Sequence, residues 1–215
     1  MLKRRRTSQK RPYAKRLDKR LEAERPGSVV QVDTLFVRTA DGRTFRQFTA
    51  LDVKTKTRVT NIYSSGSSNN ARRFLLYIDE KLPFKIENIQ VDGGSEFKGE
   101  FEKACQKARI PLHVNPPRCP KMNAYVERCH RTIRQEFYYS RDDLPSTVLQ
   151  LRAYLEQDDY WYNWLRPHQA LDNQPPMLKF LSDSRSFDAP LSEIQDAPSH
   201  NSSLGLTCIE PVQGC

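Results

Sequence analysis

Hydrophobic residues near the start of the chain follow the pattern of three successive β-strands. The first strand, "SVVQVDTLFV" from residue 28, is rich in β-branched and apolar side chains, as a buried strand should be. An Asp-Gly pair, Asp41-Gly42, then supplies a typical hairpin turn. The segments "TFRQFTALDV" and "TRVTNIYS" continue the pattern. The sequence therefore predicts an antiparallel meander.

Helical and strand-like patterns alternate after the meander. Apolar residues in "NNARRFLLYIDEKL" recur at helical spacing, with Asn69 or Asn70 as the N-cap, and the pattern ends before Pro83. A short strand "IENIQVD", a helix "EFKGEFEKACQKAR", a strand "IPLHVN", a proline-rich loop and a helix over residues 121–139 follow. This order predicts a mixed five-stranded sheet with helices on its faces.

The C-terminal third of the chain begins with a further predicted helix, over residues 145–164. Asp158 and Asp159 on this helix are expected to be solvated. Its aromatic cluster is interpreted as packing rather than as a platform for base stacking. That cluster comprises Tyr154, Tyr160, Trp161, Tyr162 and Trp164. The prolines at 167, 175 and 176 then predict an extended segment that packs back over the core.

Charge is concentrated at the N-terminus. The chain has 35 Lys and Arg against 26 Asp and Glu, a net charge of +9. Residues 1–25 alone hold 11 of those basic residues and three acids. We interpret this segment as a phosphate-binding arm or a solvated linker. From residue 181 the chain is acidic, rich in Ser and Pro and without a sustained period, which predicts a disordered tail.

These patterns divide the chain into four parts. Residues 1–26 are the basic arm, 27–140 the α/β core, 141–180 a C-terminal helix with its extended segment that packs on the core, and 181–215 the tail. The sequence contains no apolar run long enough for a membrane span and no signal peptide, so we expect a cytoplasmic, nucleoid-associated protein with no membrane partner. Five cysteines without a C-x-x-C pair argue against a disulfide framework and a zinc ribbon.

Three carboxylates lie within or at the ends of predicted strands and helices, where an unpaired charge would be unfavourable if buried. Asp33 interrupts an apolar strand, Asp92 ends the fourth predicted strand before two glycines, and Glu127 lies on a helix one turn after Asn123. If the first and fourth strands are neighbours, Asp33 and Asp92 lie side by side, and a divalent cation is the usual remedy for their repulsion. On the residues alone, an alternative stays open in which Asp92 only begins a turn and Asp33 pairs with an arginine.

Four segments carry a resemblance to a known family: "QVDT", "VDGGSEF", "NAYVERCHRTIRQEF" and "YNWLRPHQAL". Together they resemble the catalytic region of DDE-type integrases and bacterial insertion-sequence transposases over residues 27–180. The resemblance implies a ribonuclease-H-like α/β fold, with a mixed five-stranded sheet flanked by helices and a C-terminal helical extension. It also implies that Asp33, Asp92 and Glu127 are the catalytic and metal-binding acids. Asp92 and Glu127 are separated by 34 residues, one fewer than the commonest family spacing.

The implied function is metal-dependent DNA cleavage and strand transfer in transposition or integration. Three acids on three elements can hold two Mg²⁺ ions about 3.5–4 Å apart, a spacing that suits in-line displacement at phosphorus. Mn²⁺ is expected to substitute for Mg²⁺. Two alternatives stay open: a metal-dependent nuclease of the same fold, and a decayed or domesticated protein that only binds DNA.

DNA is the expected partner, both as element ends and as target. The residues predicted to contact it are Asn123, Lys121, Arg128, Arg131, Arg134, Arg4, Arg5 and Arg6. We also expect a homo-oligomer when the protein is active, and a DNA-reading helix-turn-helix supplied by a separate protein or a missing N-terminal domain. Two further acids receive structural interpretations: Asp52 as a turn residue and Glu96 as an acid that starts a helix.

Overall fold

The computed structural model describes residues 13–141 and 144–185. Within these ranges the chain forms one six-stranded sheet with helices on both faces. The strands are β1 (Lys15–Arg16), β2 (Val30–Arg38), β3 (Thr44–Asp52), β4 (Arg58–Tyr63), β5 (Ile89–Val91) and β6 (Leu112–Val114). The helices are α1 (Ser68–Lys81), α2 (Glu100–Ala108), α3 (Ala124–Ile133), α4 (Val148–Tyr160) and α5 (Pro176–Arg185).

The strands lie in the order β1-β6-β5-β2-β3-β4. β2, β3 and β4 form the predicted antiparallel meander, while β1, β6 and β5 run parallel to β2. β2 and β5, the first and fourth strands of the sequence prediction, are neighbours. The condition for bringing Asp33 next to Asp92 is therefore met.

The prediction of five strands is wrong by one. Lys15–Arg16, in the segment interpreted as an arm or linker, pairs in parallel with β6. The hydroxyl of Tyr13 donates to the carbonyl of Ile110 at 3.0 Å, and the amide of Ala14 donates to the carboxylate of Glu102 at 2.9 Å. Strand pairing uses backbone groups and needs no apolar run, so a basic composition gave no sign of it.

Two apolar cores lie on opposite faces of the sheet. On one face α1 and α2 pack through residues such as Phe74 and Phe101, both fully buried. On the other face α3 and α4 pack through residues such as Ile133 and Leu155. The sheet is thus covered on both sides, as its largely apolar strands require.

The predicted helices exist, but their bounds differ from those predicted. The N-cap of α1 is Ser67, whose hydroxyl accepts from the amide of Asn70, rather than either predicted asparagine. The helix predicted from Glu96 is split into a 3₁₀ turn, Ser95–Phe97, and α2, because Gly99 between them has a φ of 62°. A left-handed φ is readily adopted by glycine and interrupts a right-handed helix.

The segment predicted to be extended after residue 167 contains a helix. α5 begins at Pro176, where a proline is favourable because the first helical turn needs no amide donor. Residues 181–185 belong to this helix, so the predicted start of a disordered tail is wrong there. The remainder of the predicted tail lies outside the described residues. None of the helices in the described ranges is long and apolar enough to cross a membrane.

The expectation that Asp158 and Asp159 are solvated is wrong. Both form ion pairs with the guanidinium of Arg58, at 2.5 and 2.7 Å, and the Arg58 side chain is only 1% exposed. The aromatic cluster around them is divided: Tyr162 is buried over Arg58, whereas Tyr160 is exposed. A helix pattern cannot reveal a buried ion pair, because its partner lies about 100 residues away on β4.

The outer edge of β4 is covered by side chains from α4 and the turn after it. Alternate residues of the strand form hydrogen bonds with side chains of this region: the amides of Arg58 and Thr60 donate, and the carbonyls of Arg58 and Ile62 accept. The contacts are Asn163 with the amide and carbonyl of Arg58 (2.9 and 2.7 Å), Asp159 with the amide of Thr60 (2.6 Å) and Arg152 with the carbonyl of Ile62 (3.2 Å). These side chains satisfy backbone amide and carbonyl groups of β4 that a neighbouring strand would otherwise satisfy.

Candidate active site

The two predicted aspartates lie side by side on neighbouring parallel strands. Val32 of β2 is in register with Val91 of β5, and the next residues along the chain are Asp33 and Asp92. Asp33 faces the side of the sheet covered by α3, because its carboxylate accepts a hydrogen bond from the Asn123 side chain at 3.2 Å. The sheet topology thus brings two acids together from positions 59 residues apart.

α3 brings the third predicted acid to the same place. Its buried stripe, Val126, Cys129 and Ile133, packs against the sheet with no side chain more than 4% exposed. Glu127 and Asn123, one helical turn apart, both line a cleft that also contains the two aspartates. The predicted docking face of this helix is confirmed, and the role of Glu127 as a metal ligand stays a prediction.

The cleft has a volume of about 540 Å³ and opens at the carboxyl ends of β5 and β6. Asp33, Asp92, Glu127 and Asn123 form part of its lining. The proline-rich loop, residues 115–119, forms another part. Ligands bind characteristically at the carboxyl ends of strands in open α/β sheets.

A buried glutamine pair holds the start of α3, and the sequence analysis missed it. Gln31 and Gln90 are each 1% exposed and each donates to the carbonyl of Met122 at 2.8 Å. Gln31 also accepts from the amide of Val126 at 3.2 Å, inside the first turn of α3. The available signal was a repeated tripeptide: Gln-Val-Asp occurs at residues 31–33 and again at 90–92.

The carboxyl of Asp33 has a strongly raised pKa. Burial, together with the nearby charges of Asp92, Glu127 and Glu96, raises its pKa to about 7. The nearest basic side chain is His130, 3.7 Å away, but burial and neighbouring arginines lower the pKa of this histidine to about 3. The histidine is therefore neutral at pH 7, and this contact brings no positive charge to Asp33.

Glu96 and Asp52 both occupy the structural positions predicted for them. Glu96 lies in the 3₁₀ turn after Asp92, and it also accepts a hydrogen bond from the Thr34 hydroxyl at 2.8 Å, next to Asp33. Asp52 is buried and accepts from the amides of Gly27 and Thr55, at 3.0 and 2.7 Å, so it organises the turn after β3. Asp52 does not line the acidic cleft.

A family model described as an integrase core domain matches residues 108–176. The matched range contains Glu127 but begins after Asp33 and Asp92. No curated protein sequence matches this chain significantly.

Solved structures give a wider match. The HTLV-2 integrase catalytic core domain, in complex with magnesium in a trimeric form, matches with a TM-score of 0.60 and 15% identity over 74% of this chain and 99% of that one. The catalytic core domain of BIV integrase matches with a TM-score of 0.58 and 15% identity over 74% and 97%. This chain has the fold of an integrase catalytic core.

A third solved structure matches a larger share of this chain. A chain of the simian T-cell lymphotropic virus intasome, determined in complex with the PP2A regulatory subunit B56 gamma, matches with a TM-score of 0.62 and 18% identity. The match covers 83% of this chain but only 60% of the viral one, so this chain spans less than two thirds of that protein. The ribonuclease-H-like fold predicted from the sequence is confirmed.

The donor set of the cleft fits a divalent magnesium ion. Mg²⁺ prefers carboxylate oxygens, and the pKa of Asp33 is raised first by burial and then by the charges of Asp92, Glu127 and Glu96. In the described ranges, no three His, Cys, Asp or Glu side chains are already drawn together as a metal site.

The residues predicted to contact DNA have different surroundings. Lys121, Arg128, Arg131 and Arg134 are exposed around or along α3. Asn123 is only 5% exposed and points to Asp33. Its contact with DNA, like that of the four cations, stays a prediction. Arg4, Arg5 and Arg6 lie outside the described residues.

Proposed function

We propose that this chain is the catalytic region of a DNA transposase or integrase that cleaves phosphodiester bonds and transfers DNA strands. The observation that carries the proposal is the meeting of Asp33, Asp92 and Glu127 in one cleft of an integrase-core fold. These acids come from β2, the end of β5 and α3. No local packing need explains three acids from separate elements around one cavity.

Asp33, Asp92 and Glu127 are the residues that would hold Mg²⁺. Two such ions would supply charge stabilisation for both the attacking and the leaving oxygen of an in-line displacement. Asn123 orients Asp33 by donating to one of its oxygens, at 3.2 Å. The buried Gln31 and Gln90 fix the distance between the helix of Glu127 and the strands of the aspartates.

The same cleft serves two successive reactions in this proposal. In the first, the oxygen of water bonds to phosphorus, and the bond between phosphorus and the 3′ oxygen breaks, leaving a free 3′ hydroxyl. In the second, that hydroxyl attacks a phosphodiester of the target, and the displaced target oxygen takes up the proton. Neither reaction needs a covalent bond between protein and DNA.

The test is a joining assay with the purified chain, Mg²⁺, a supercoiled plasmid and a labelled oligonucleotide with a free 3′ hydroxyl. Label covalently attached to the plasmid is the expected result. Plasmid cleavage without joining identifies a nuclease of the same fold. DNA binding without either reaction identifies a protein that has lost catalysis. Replacing Mg²⁺ by Mn²⁺ should retain the activity.

The partners expected from the sequence belong to the same proposal. The active form is a homo-oligomer on DNA, and the HTLV-2 core domain provides a precedent for assembly, since it has been solved in trimeric and dimeric forms. Sequence reading is assigned to a helix-turn-helix outside this chain, in a separate protein or a missing N-terminal domain. The chain alone should then cut and join DNA at scattered positions. A cytoplasmic, nucleoid-associated location follows from the DNA partner.

A further inference from the structure

A second groove adjoins the acidic cleft on the side of α2. Its volume is about 390 Å³, and it shares Arg16, Asp92, Gly93 and Val114 with the cleft. A ligand seated against Asp92 can therefore extend into this groove without leaving the protein surface. The groove continues past Phe97, which provides apolar surface.

Two cations line this groove without partners of their own. Among the described residues, neither the guanidinium of Arg16 nor the ammonium of Lys98 makes a hydrogen bond, an ion pair or a cation–π contact. Arg25, by contrast, is paired with Glu87. The groove's acid Glu102 accepts a hydrogen bond from the backbone amide of Ala14 and forms no ion pair with either of the two cations.

The position of Arg16 is set by the sheet. Arg16 is in register with Val114 of β6, which is in register with Val91 of β5, directly before Asp92. Arg16 thus lies two strand spacings from the acidic site, about 10 Å along the sheet. Lys15 pairs instead with His113 and belongs to the opposite face, and it does not line either cavity.

We propose that this groove binds the DNA backbone next to the phosphodiester that is attacked, with Arg16 and Lys98 contacting its phosphates. The inference rests on the proposed function, because it assigns the groove to the same DNA strand. In this proposal β1 does more than extend the sheet at its edge, because it places a cation from the basic arm beside the acidic site. Charge complementarity selects the occupant, since two unpaired cations beside a carboxylate cluster match a polyanion that approaches a metal-binding site.

The test measures DNA affinity in EDTA over a series of NaCl concentrations, using the full chain and a duplex oligonucleotide. Each lost phosphate contact lowers the slope of log affinity against log salt by about 0.9. Arg16→Ala and Lys98→Ala should each lower the slope by about that amount, and Arg16→Lys should retain most of it. Lys15→Ala is the matched control, since it removes an equal charge from the same strand, and its slope should equal that of the native chain.

Equal losses for Arg16→Ala and Lys15→Ala would assign the effect to net charge alone and overturn the inference. No loss for Arg16→Ala would overturn it as well. Thermal unfolding of each variant checks that β1, held by backbone pairing, remains in place. DNA binding in EDTA does not depend on catalysis. If the native chain joins DNA but Arg16→Ala leaves the salt slope unchanged, only the assignment of the groove is rejected. If the variants change the salt slope as expected but the native chain neither cleaves nor joins DNA, the proposed reaction is rejected instead.

Discussion

Gln31 and Gln90 donate to the same acceptor, the carbonyl oxygen of Met122, each at 2.8 Å. The two glutamines stand on adjacent strands, two residues before Asp33 and Asp92 respectively. One backbone oxygen at the entrance to α3 is therefore tied to both strands that carry aspartates. The position of Glu127 relative to the aspartates depends on this shared contact.

The first prediction is that the double variant Gln31→Leu, Gln90→Leu needs more Mg²⁺ for half-maximal DNA cleavage. The expected increase is about tenfold, equivalent to about 1.4 kcal/mol, because the start of α3 loses its connection to the strands. Each single variant should show a smaller increase, since one donor to Met122 remains. A magnesium titration of cleavage rate measures the effect.

Gln47→Leu is the control for this prediction. Gln47 is also fully buried, but its side chain bonds to Thr49 and Tyr138, away from the start of α3. It should lose stability of about 1–3 kcal/mol, as expected for disrupted buried hydrogen bonds, with an unchanged magnesium requirement. An equal shift in this control would mean that the effect comes from general loosening of the core.

The second prediction concerns the three acids themselves. Asp33→Asn, Asp92→Asn and Glu127→Gln should each abolish Mg²⁺-dependent cleavage, because each removes one ligand and one negative charge. DNA affinity should stay equal or increase, since less negative charge faces the phosphates. Glu87→Gln, which alters a surface ion pair with Arg25, should cleave normally. Near-normal cleavage by any of the three acid variants contradicts the site.

The third prediction is a pH dependence of stability due to Asp33. In the folded, metal-free chain its pKa is raised from 3.8 to about 7 by burial and neighbouring carboxylates. The folded state therefore holds this proton more tightly than the unfolded state. Its stabilising contribution is complete below about pH 4 and is lost as the pH rises towards about 7, by at most about 1.4 kcal/mol per pH unit.

Urea unfolding of the native chain and Asp33→Asn in EDTA, across this pH range, measures that contribution. The free energy of unfolding of the native chain should fall relative to that of the variant as the pH rises. Asp41→Asn is the control of opposite sign, because hydrogen bonding from the Thr39 hydroxyl lowers the pKa of Asp41. Parallel curves for the native chain and Asp33→Asn would show that Asp33 has an ordinary pKa.

The fourth prediction concerns the buried ion pairs of Arg58. Arg58→Met should lower the free energy of unfolding by about 3–5 kcal/mol, because it leaves Asp158 and Asp159 as buried charges without their partner. Arg25→Met, which breaks an exposed pair, should cost only about 0–1 kcal/mol. Chemical denaturation of both variants makes the comparison. Equal costs would mean that water reaches the Arg58 site.

The sequence predicted the parts of the fold that depend on local patterns. The meander, α1 and the docking stripe of α3 follow from periodicity, and the predicted order of strands and helices allowed Asp33 and Asp92 to lie side by side. It did not predict β1, because two basic residues pair through backbone atoms alone. The sequence also did not predict that Asp158 and Asp159 pair with Arg58, which lies about 100 residues earlier in the chain.

The candidate site was also predicted only in part: its acids were predicted, and the glutamines that hold α3 were not. The acids could be found because charges in apolar contexts are conspicuous and because the family resemblance includes their spacing. The glutamine pair was not found, because a single buried glutamine has no periodicity. Its only signal was the repeat of Gln-Val-Asp at residues 31–33 and 90–92, which becomes meaningful once the two tripeptides are known to be adjacent.

The side chains that cover the outer edge of β4 also block the addition of a strand from another chain at this edge. An open strand edge is a template on which another chain can add a strand. Here the side chains of Asn163, Asp159 and Arg152 bond to the backbone groups of Arg58, Thr60 and Ile62 that would pair with such a strand. A fragment that stops before α4 would retain all three acids but expose this template. The smallest portion that can be handled without aggregation therefore extends beyond the acids, to the turn after α4.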